Sequence, residues 1–332
     1  MKRLVFVLGV GAVVAFVSLS GQAQQAPVQG ASKLAEIPID HVSLIVRDVA
    51  KTAKAYSDVL GVPVPPITEQ TGLTFPKDFK GDRKAHPKVA RFQLNGVALE
   101  LLQPMGGASP WKDHLDKYGE GMYHIAYRGI QDVAATTALA VSKGGTQVVG
   151  GPGAKVTYVD MRALLGFALE FSDEPLSPAA APAAAAAGPV QKFADNPVAY
   201  VSIIVPDNEK ATAAFGDLMG VPVPKINPAK IVYPSDYALD RSAGPTLAMF
   251  PLKGISVAYT APVGGMSPWR VNVDKFGPAV HHLGIRIKGM SEQIDYLAEK
   301  AGGKLVVGGR DLGYCWMDMS EKLHTVFELN GR

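Results

Sequence analysis

The sequence predicts an α+β protein of four β-α-β-β-β units, arranged as two paired domains. Two observations carry this. The first is an internal repeat. "GVPVPP" at Gly61 answers "GVPVPK" at Gly220, an offset of 220 − 61 = 159. "GGASPW" at Gly106 answers "GGMSPW" at Gly264, and 264 − 106 = 158. "YHIAYR" at Tyr123 answers "HHLGIR" at His281, and "GFALEF" at Gly166 answers "HTVFEL" at His324, both at 158 again. A near-constant offset over so long a stretch is a duplication. The second observation is a switch of hydrophobic period within each copy, from strand to helix and back, that occurs twice per copy.

The elements follow in order. "HVSLIV" from His41 is a short apolar strand. "DVAKTAKAYSDVLG" has Asp48 as N-cap, apolar residues at helical spacing and Gly61 as its stop. "VARFQLNGVALELLQP" reads as two strands joined at Asn95-Gly96, a hairpin signal. "YHIAYR" is the next strand, "GIQDVAATTALAVSKGG" the next helix, and "AKVTYVDMRALLGFALEF" a second hairpin. The second copy repeats the plan. Between the copies, "SPAAAPAAAAAGPVQ" from Ser177 to Gln191 has the composition of a linker. The expected domains are therefore 34–175 and 193–332, joined by a linker over 176–192.

The composition is 47% hydrophobic and 19% charged with a formal net charge of +3, ordinary for a chain that buries a core. Lys and Arg are scattered, so nothing points to nucleic acid. Lys2 and Arg3 precede the apolar run "LVFVLGVGAVVAFVSL" and then "SGQAQQA". This predicts a signal peptide over 1–23, cleaved after Ala23, and a periplasmic or secreted bacterial protein with no membrane association after cleavage. The competing reading is an anchor, but the run is shorter than the ~20 residues a spanning helix needs. The single cysteine, Cys315, excludes an intramolecular disulfide and reads as a buried small hydrophobe.

Paired units with these signatures resemble the vicinal oxygen chelate superfamily, which includes glyoxalase I, methylmalonyl-CoA epimerase, extradiol dioxygenases and bleomycin-resistance proteins. The stretch "LELLQPMGGASPWKDHLDKYGEGMYHIAYRGI" is most similar to the epimerase branch. The resemblance implies glyoxalase-like domains in which paired units curl mixed sheets around a central cleft that holds a metal. It also implies the ligands: His41 in "IDHV", Glu100 in "LELLQP", His124 in "YHIAY" and Glu170 in "ALEF". The residue types agree. Two imidazoles and two carboxylates suit one divalent ion, whether zinc, nickel, cobalt, manganese or iron, and leave two of six octahedral positions open. Each of the four sits on an apolar strand, where an unpartnered carboxylate is very costly. No Lys or Arg lies beside Glu100 or Glu170 in sequence on the same strand face, so a bound cation is the expected compensation.

The matching positions of the second domain are Tyr200, Ala258, His282 and Glu328. Tyr200 and Ala258 remove two ligands, so that copy reads as degenerate, kept for packing or for shaping a pocket. A separate site on His281, His282 and Glu328 is the rival reading. "GGASPW" and "GGMSPW" read as a loop and helix start, with Trp111 and Trp269 as packing residues or pocket edges. His86 and His114 lie in polar surroundings and are expected to face solvent. The segment Thr68–Lys88 differs most from its counterpart, reads as an insertion over the site, and offers Arg83, Lys84 or Lys88 to an anionic substrate.

The resemblance implies an enzyme whose metal chelates two oxygens of a small molecule. Proton transfer would use Glu170 as base, with Glu100 as second choice: an epimerase, isomerase or glyoxalase-type lyase. Coenzyme A thioesters and glutathione are cytoplasmic, so an exported protein would act on something else. An extradiol-type dioxygenase is one alternative, although those enzymes usually carry their metal in the C-terminal pair. A binding protein of the bleomycin-resistance kind is the other. A monomer or homodimer is expected.

Overall fold

A computed structural model describes residues 29–180 and 192–331. The expected signal peptide over 1–23 and the centre of the expected linker lie outside the described residues. The first domain contains β1 (His41–Ile45), α1 (Val49–Leu60), β2 (Thr68–Glu69), β3 (His86–Gln93), β4 (Ala98–Met105), α2 (Pro110–Tyr118), β5 (Gly121–Tyr127), α3 (Val133–Ser142), β6 (Thr146–Val149), β7 (Val156–Asp160), α4 (Arg162–Leu165) and β8 (Ala168–Ser172). The second contains β9 (Val198–Ile204), α5 (Asn208–Met219), β10 (Asn227–Pro228), β11 (Gly244–Phe250), β12 (Ser256–Val263), α6 (Pro268–Phe276), β13 (Ala279–Ile287), α7 (Met290–Ala301), β14 (Lys304–Gly308), β15 (Tyr314–Asp318), α8 (Ser320–Leu323) and β16 (Val326–Gly331).

Each domain is one eight-stranded mixed sheet. The first runs β2-β3-β4-β1-β5-β8-β7-β6 and the second repeats that order as β10-β11-β12-β9-β13-β16-β15-β14. Two β-α-β-β-β units thus meet at an antiparallel β1–β5 seam, with parallel β1–β4 and β5–β8 pairs beside it. This centre explains the sequence. A strand flanked on both sides and covered on both faces reads as a continuous apolar run, and all five residues of β1 are buried.

Local chemistry sets the ends of the elements. Asp48 accepts from the Lys51 amide at the start of α1, and Gly61 closes it at φ 71°, a left-handed cap suited to glycine. The Ser109 side chain accepts from Lys112, with Pro110 at the first helical position, so "GGASPW" starts α2 as expected. Cys315 lies fully buried on β15, and burial pushes its thiol up to about 12.

The segment Thr68–Lys88 is not an insertion. β2 pairs with β3 as β10 pairs with β11. Arg83 donates to the carbonyls of Phe75, Pro76 and Lys77, just as Arg241 donates to those of Pro234 and Ser235. Both copies keep one loop shape because the same guanidinium holds it. Arg83 is thus committed to its own backbone, and Lys88 sits 3.7 Å from Glu69.

The domains share one core. Val42, Leu99, Ile125, Leu169, Val201, Tyr259, Leu283 and Leu329 belong to a single apolar cluster. The Tyr56 hydroxyl donates to the Leu323 carbonyl at 2.8 Å, and that of Tyr296 to the Val59 carbonyl at 2.8 Å. Gly166 marks the tightest approach: a β-carbon there would meet Ile203 of the other domain at 2.7 Å.

Candidate metal centre

The four central strands of the first sheet, β4, β1, β5 and β8, supply Glu100, His41, His124 and Glu170 in that order. One side chain from each strand reaches the same point. One ligand atom from each residue lies within 4.8 Å of every other, and all four residues are buried. The two imidazole Nε2 atoms face each other at 3.0 Å. His41 Nε2 lies 3.4 Å from Glu100 Oε1 and 3.6 Å from Glu170 Oε2, and His124 Nε2 lies 3.3 Å from Glu170 Oε2.

A second layer holds these groups. His41 Nδ1 donates to Asp40 Oδ2 at 2.8 Å, which turns Nε2 toward the other three residues. Asp40 is fully buried and also accepts from the Ser177 amide at 2.6 Å, with Arg91 and Arg128 at 3.3 and 3.4 Å. Arg91 donates through Nε and Nη2 to Glu100 Oε2. The expectation that Glu100 has no basic neighbour therefore fails: the neighbour is across the hairpin, not along the strand. The signal was present. A two-residue turn at Asn95-Gly96 pairs positions whose numbers sum to 95 + 96 = 191, and 91 + 100 = 191; the ladder pairs Arg91 with Glu100. Asp40 and Arg128 carried no such signal.

Arg91 engages Oε2 and leaves Glu100 Oε1 facing the imidazoles. Glu170 has no such guanidinium, and its buried Oε2 faces the His41 and His124 Nε2 atoms at 3.6 and 3.3 Å. The protonation pattern shows the same shortage of positive charge. Burial opposes charge on His41, yet the Glu100 and Glu170 carboxylates outweigh it and push its pKa up to about 10. Burial holds His124 down at about 4 despite Glu170. Burial would raise Glu170, but His41 brings it down to about 2. Converging ligand atoms of two imidazoles and two carboxylates, with a demand for one more cation among them, fit a bound divalent metal.

Aromatic residues close the space beside the ligands. The ring of Tyr158 lies 5.1 Å from His124, Tyr123 lies 5.7 Å from it, and Trp111 meets Tyr158 edge-on at 5.7 Å. Phe75 and Phe79, stacked at 4.4 Å, cover Trp111. The Tyr158 hydroxyl bonds Glu170, and the Tyr123 hydroxyl and the Trp111 indole N–H are buried without partners among the described residues. His114 is not solvent-facing as expected. It is 6% exposed, packs on Tyr123 at 5.0 Å, and its Nδ1 faces Arg162 Nη1 at 3.3 Å. Its polar neighbours in sequence lie on the outer face of α2. His86 is part-exposed and sits 3.3 Å from Glu69.

The sequence model of the Glyoxalase/Bleomycin resistance protein/Dioxygenase superfamily matches residues 40–160. The first domain belongs to that superfamily. A curated relative, the uncharacterized protein YqjC of Bacillus subtilis (strain 168), is 26% identical over 141 residues, covering 41% of this chain and 91% of YqjC. Among solved structures, a triple mutant of 4-hydroxymandelate synthase from Streptomyces coelicolor aligns at 13% identity, covering 90% of this chain and 93% of that one, with a TM-score of 0.57. BphC, a halotolerant catechol dioxygenase, aligns at 11% identity over 90% of this chain and 88% of its own, with a TM-score of 0.43. The alignment with the synthase shows that the two share a paired-domain fold over 90% of this chain.

The second domain keeps His282 and Glu328 at the places of His124 and Glu170 but lacks the other half of the set. Asp40, His41, Arg91 and Glu100 are answered by Ala199, Tyr200, Met249 and Ala258. Tyr200 takes the place of His41, and its hydroxyl accepts from Asn330 at 3.2 Å and bonds Glu328. A β-carbon on Gly284 would meet the Tyr200 ring at 2.2 Å; the matching residue in the first domain is Ala126. The larger ring and the missing methyl go together. Among the described residues, the first-domain set is the sole cluster of this kind able to hold a metal.

Proposed function

We propose that the first domain is a metal-dependent enzyme site acting by proton transfer on a small, oxygen-rich molecule, as an isomerase, epimerase or glyoxalase-type lyase. His41, Glu100, His124 and Glu170 would hold one divalent ion. That ion, when bound, supplies Lewis-acid stabilisation of charge on a substrate oxygen. The observation that carries the reading is the convergence of the four buried ligand residues on one point, with the Tyr158 hydroxyl bonding Glu170 beside it. Burial, with the Glu170 and Glu100 carboxylates, pushes the Tyr158 phenol well above its ordinary value, so it stays protonated and can donate. Glu170 is ionised at neutral pH and can take a proton from the substrate carbon. Tyr123, Tyr158 and Trp111 orient substrate oxygens, and the Phe75–Phe79 stack excludes water. The chain begins with an export signal in this reading, so the substrate is periplasmic or extracellular.

A dioxygenase is the second reading. Two His with carboxylates also suit iron. Metal analysis of the purified protein separates the two. Zinc, nickel, cobalt or manganese at one equivalent per chain supports proton transfer, whereas iron moves the assignment to oxygen chemistry.

A further inference from the structure

Residues 77–88 and 235–246 keep one loop shape and carry opposite charge. The scaffold is shared. Asp82 accepts from the Gly107 and Lys84 amides at 2.8 and 2.9 Å, and Asp240 accepts from the Ser242 amide at 2.8 Å. The Phe75–Phe79 stack is matched by Tyr233 and Tyr237, stacked at 4.0 Å. The charge is not shared. Lys77, Lys80, Arg83, Lys84 and Lys88 against Asp78 and Asp82 give 5 − 2 = +3. Arg241 against Asp236 and Asp240 gives 1 − 2 = −1. Where the first copy has Lys77, Lys80, Lys84 and Lys88, the second has Ser235, Ala238, Ser242 and Thr246.

The loop does not need these lysines, because the second copy builds it without them. Lys88 sits beside Glu69. Lys77, Lys80 and Lys84 are exposed and form no ion pair among the described residues. Asp82, whose field Lys84 shares, is occupied by its two amides.

The loop covers the candidate metal centre. Phe79 stacks on Phe75, Phe75 meets Trp111 at 6.3 Å, Trp111 meets Tyr158 at 5.7 Å, and Tyr158 meets His124 at 5.1 Å. Lys77 and Lys80 flank Phe79, the outer ring of this column. The four ligand residues are at most 2% exposed, so a molecule that reaches them passes a covering layer. The copy with the full ligand set is the one whose cover is positively charged.

We propose that the first domain takes an anionic substrate, bearing a carboxylate or phosphoryl group, and that Lys77, Lys80 and Lys84 draw it to the metal centre. This rests on the metal-site reading above and adds the sign of the substrate's charge. A positive rim raises the local concentration of an anion and its rate of association, and salt screens the effect.

The test uses the full-length protein loaded with cobalt(II), with picolinate and its uncharged amide, picolinamide, as probes in stopped-flow absorbance. Both chelate through a ring nitrogen and a neighbouring group, and only picolinate is charged. Lys77→Ser, Lys80→Ala and Lys84→Ser together install the residues of the second copy, which keeps the loop. At low ionic strength this triple variant should bind picolinate about tenfold more slowly than the wild type, the lower end of steering effects, and picolinamide at the same rate. Added salt should close the gap. Ser235→Lys, Ala238→Lys and Ser242→Lys together change the net charge by as much in the second domain and should leave both rates unchanged. Pyridine-2-phosphonate, run beside picolinate, separates the two anion classes: the probe that depends more on the lysines names the group, and either result supports the proposal. With cobalt bound, an unchanged picolinate rate in the Lys77/Lys80/Lys84 variant, equal slowing of both probes, or no picolinate binding to the wild type would each overturn it and leave the metal site standing. A wild type that holds no cobalt would overturn the metal-site reading and this proposal with it. Retention on heparin that the triple variant loses, with picolinate unaffected, would make the lysines a docking surface for a polyanion instead.

Discussion

Arg91 lies directly across the β3–β4 ladder from Glu100 and holds its Oε2 atom, leaving Oε1 aimed at His41. The second domain has Met249 opposite Ala258 at the same place. A buried carboxylate and its guanidinium are present together or absent together. Removing one partner of a buried pair strands the other. Arg91→Met should therefore destabilise the metal-free protein by about 3 kcal/mol, measured by denaturant unfolding. Added divalent metal should narrow that gap by compensating Glu100. A gap of equal size with and without metal would remove Glu100 from the ligand set.

Metal should bind in the first domain alone. Its four donors converge, whereas Tyr200 and Ala258 break the set in the second. Elemental analysis should give one equivalent per chain, and His41→Ala should abolish it. Two equivalents, or metal retained in that variant, would contradict the assignment.

Glu170 is expected to do more than hold the metal. Its Oε2 is buried, lies 3.3 Å from His124 Nε2 and belongs to a carboxylate that His41 holds ionised. Glu170→Gln keeps the shape and an oxygen donor but removes the base. The variant should keep much of its metal while activity falls by ~10²–10⁴-fold. Equal losses of metal and activity would leave Glu170 as a ligand only.

His114 should make the protein acid-sensitive. Burial and the nearby Arg162 lower its pKa from 6.5 in the open chain to about 3, with Asp160 opposing. Between those values the unfolded chain holds a proton that the folded chain refuses, so stability falls as pH drops through that window. His114→Asn, the residue that its counterpart Asn272 already shows, should flatten the slope by up to about 1.4 kcal/mol per pH unit. Parallel slopes in the two proteins would show that His114 is not the group responsible.

Gly284 and Tyr200 should be coupled. Gly284→Ala places a methyl against the Tyr200 ring and should cost about 1–3 kcal/mol, the usual range for overpacking. Adding Tyr200→His, the residue found at position 41, should recover most of it. Thermal melts of the two single variants and the double variant give the coupling. Additive effects would mean that the ring and the missing methyl are unrelated.

The sequence by itself determined the four units and their pairing, because strand alternation, helix caps and turn chemistry act over a few residues, and a duplicated chain displays each of them twice. His41, Glu100, His124 and Glu170 were singled out by the family resemblance, which the residue types and their apolar strands supported. Even the Arg91–Glu100 pair was written in the Asn95-Gly96 turn. Tertiary structure alone decided the rest. Asp40 and Arg128 became supports of the centre because the seam between units brings them together, and no local pattern encodes a seam. His114 went inside because a helix face is buried by what packs on it, not by its sequence neighbours. The Thr68–Lys88 loop took the shape of its counterpart because one arginine at the matching place holds its carbonyls. The contact between the domains, where β13 meets β5, was likewise decided by packing, and contact between two sheets leaves no mark in the periodicity of either.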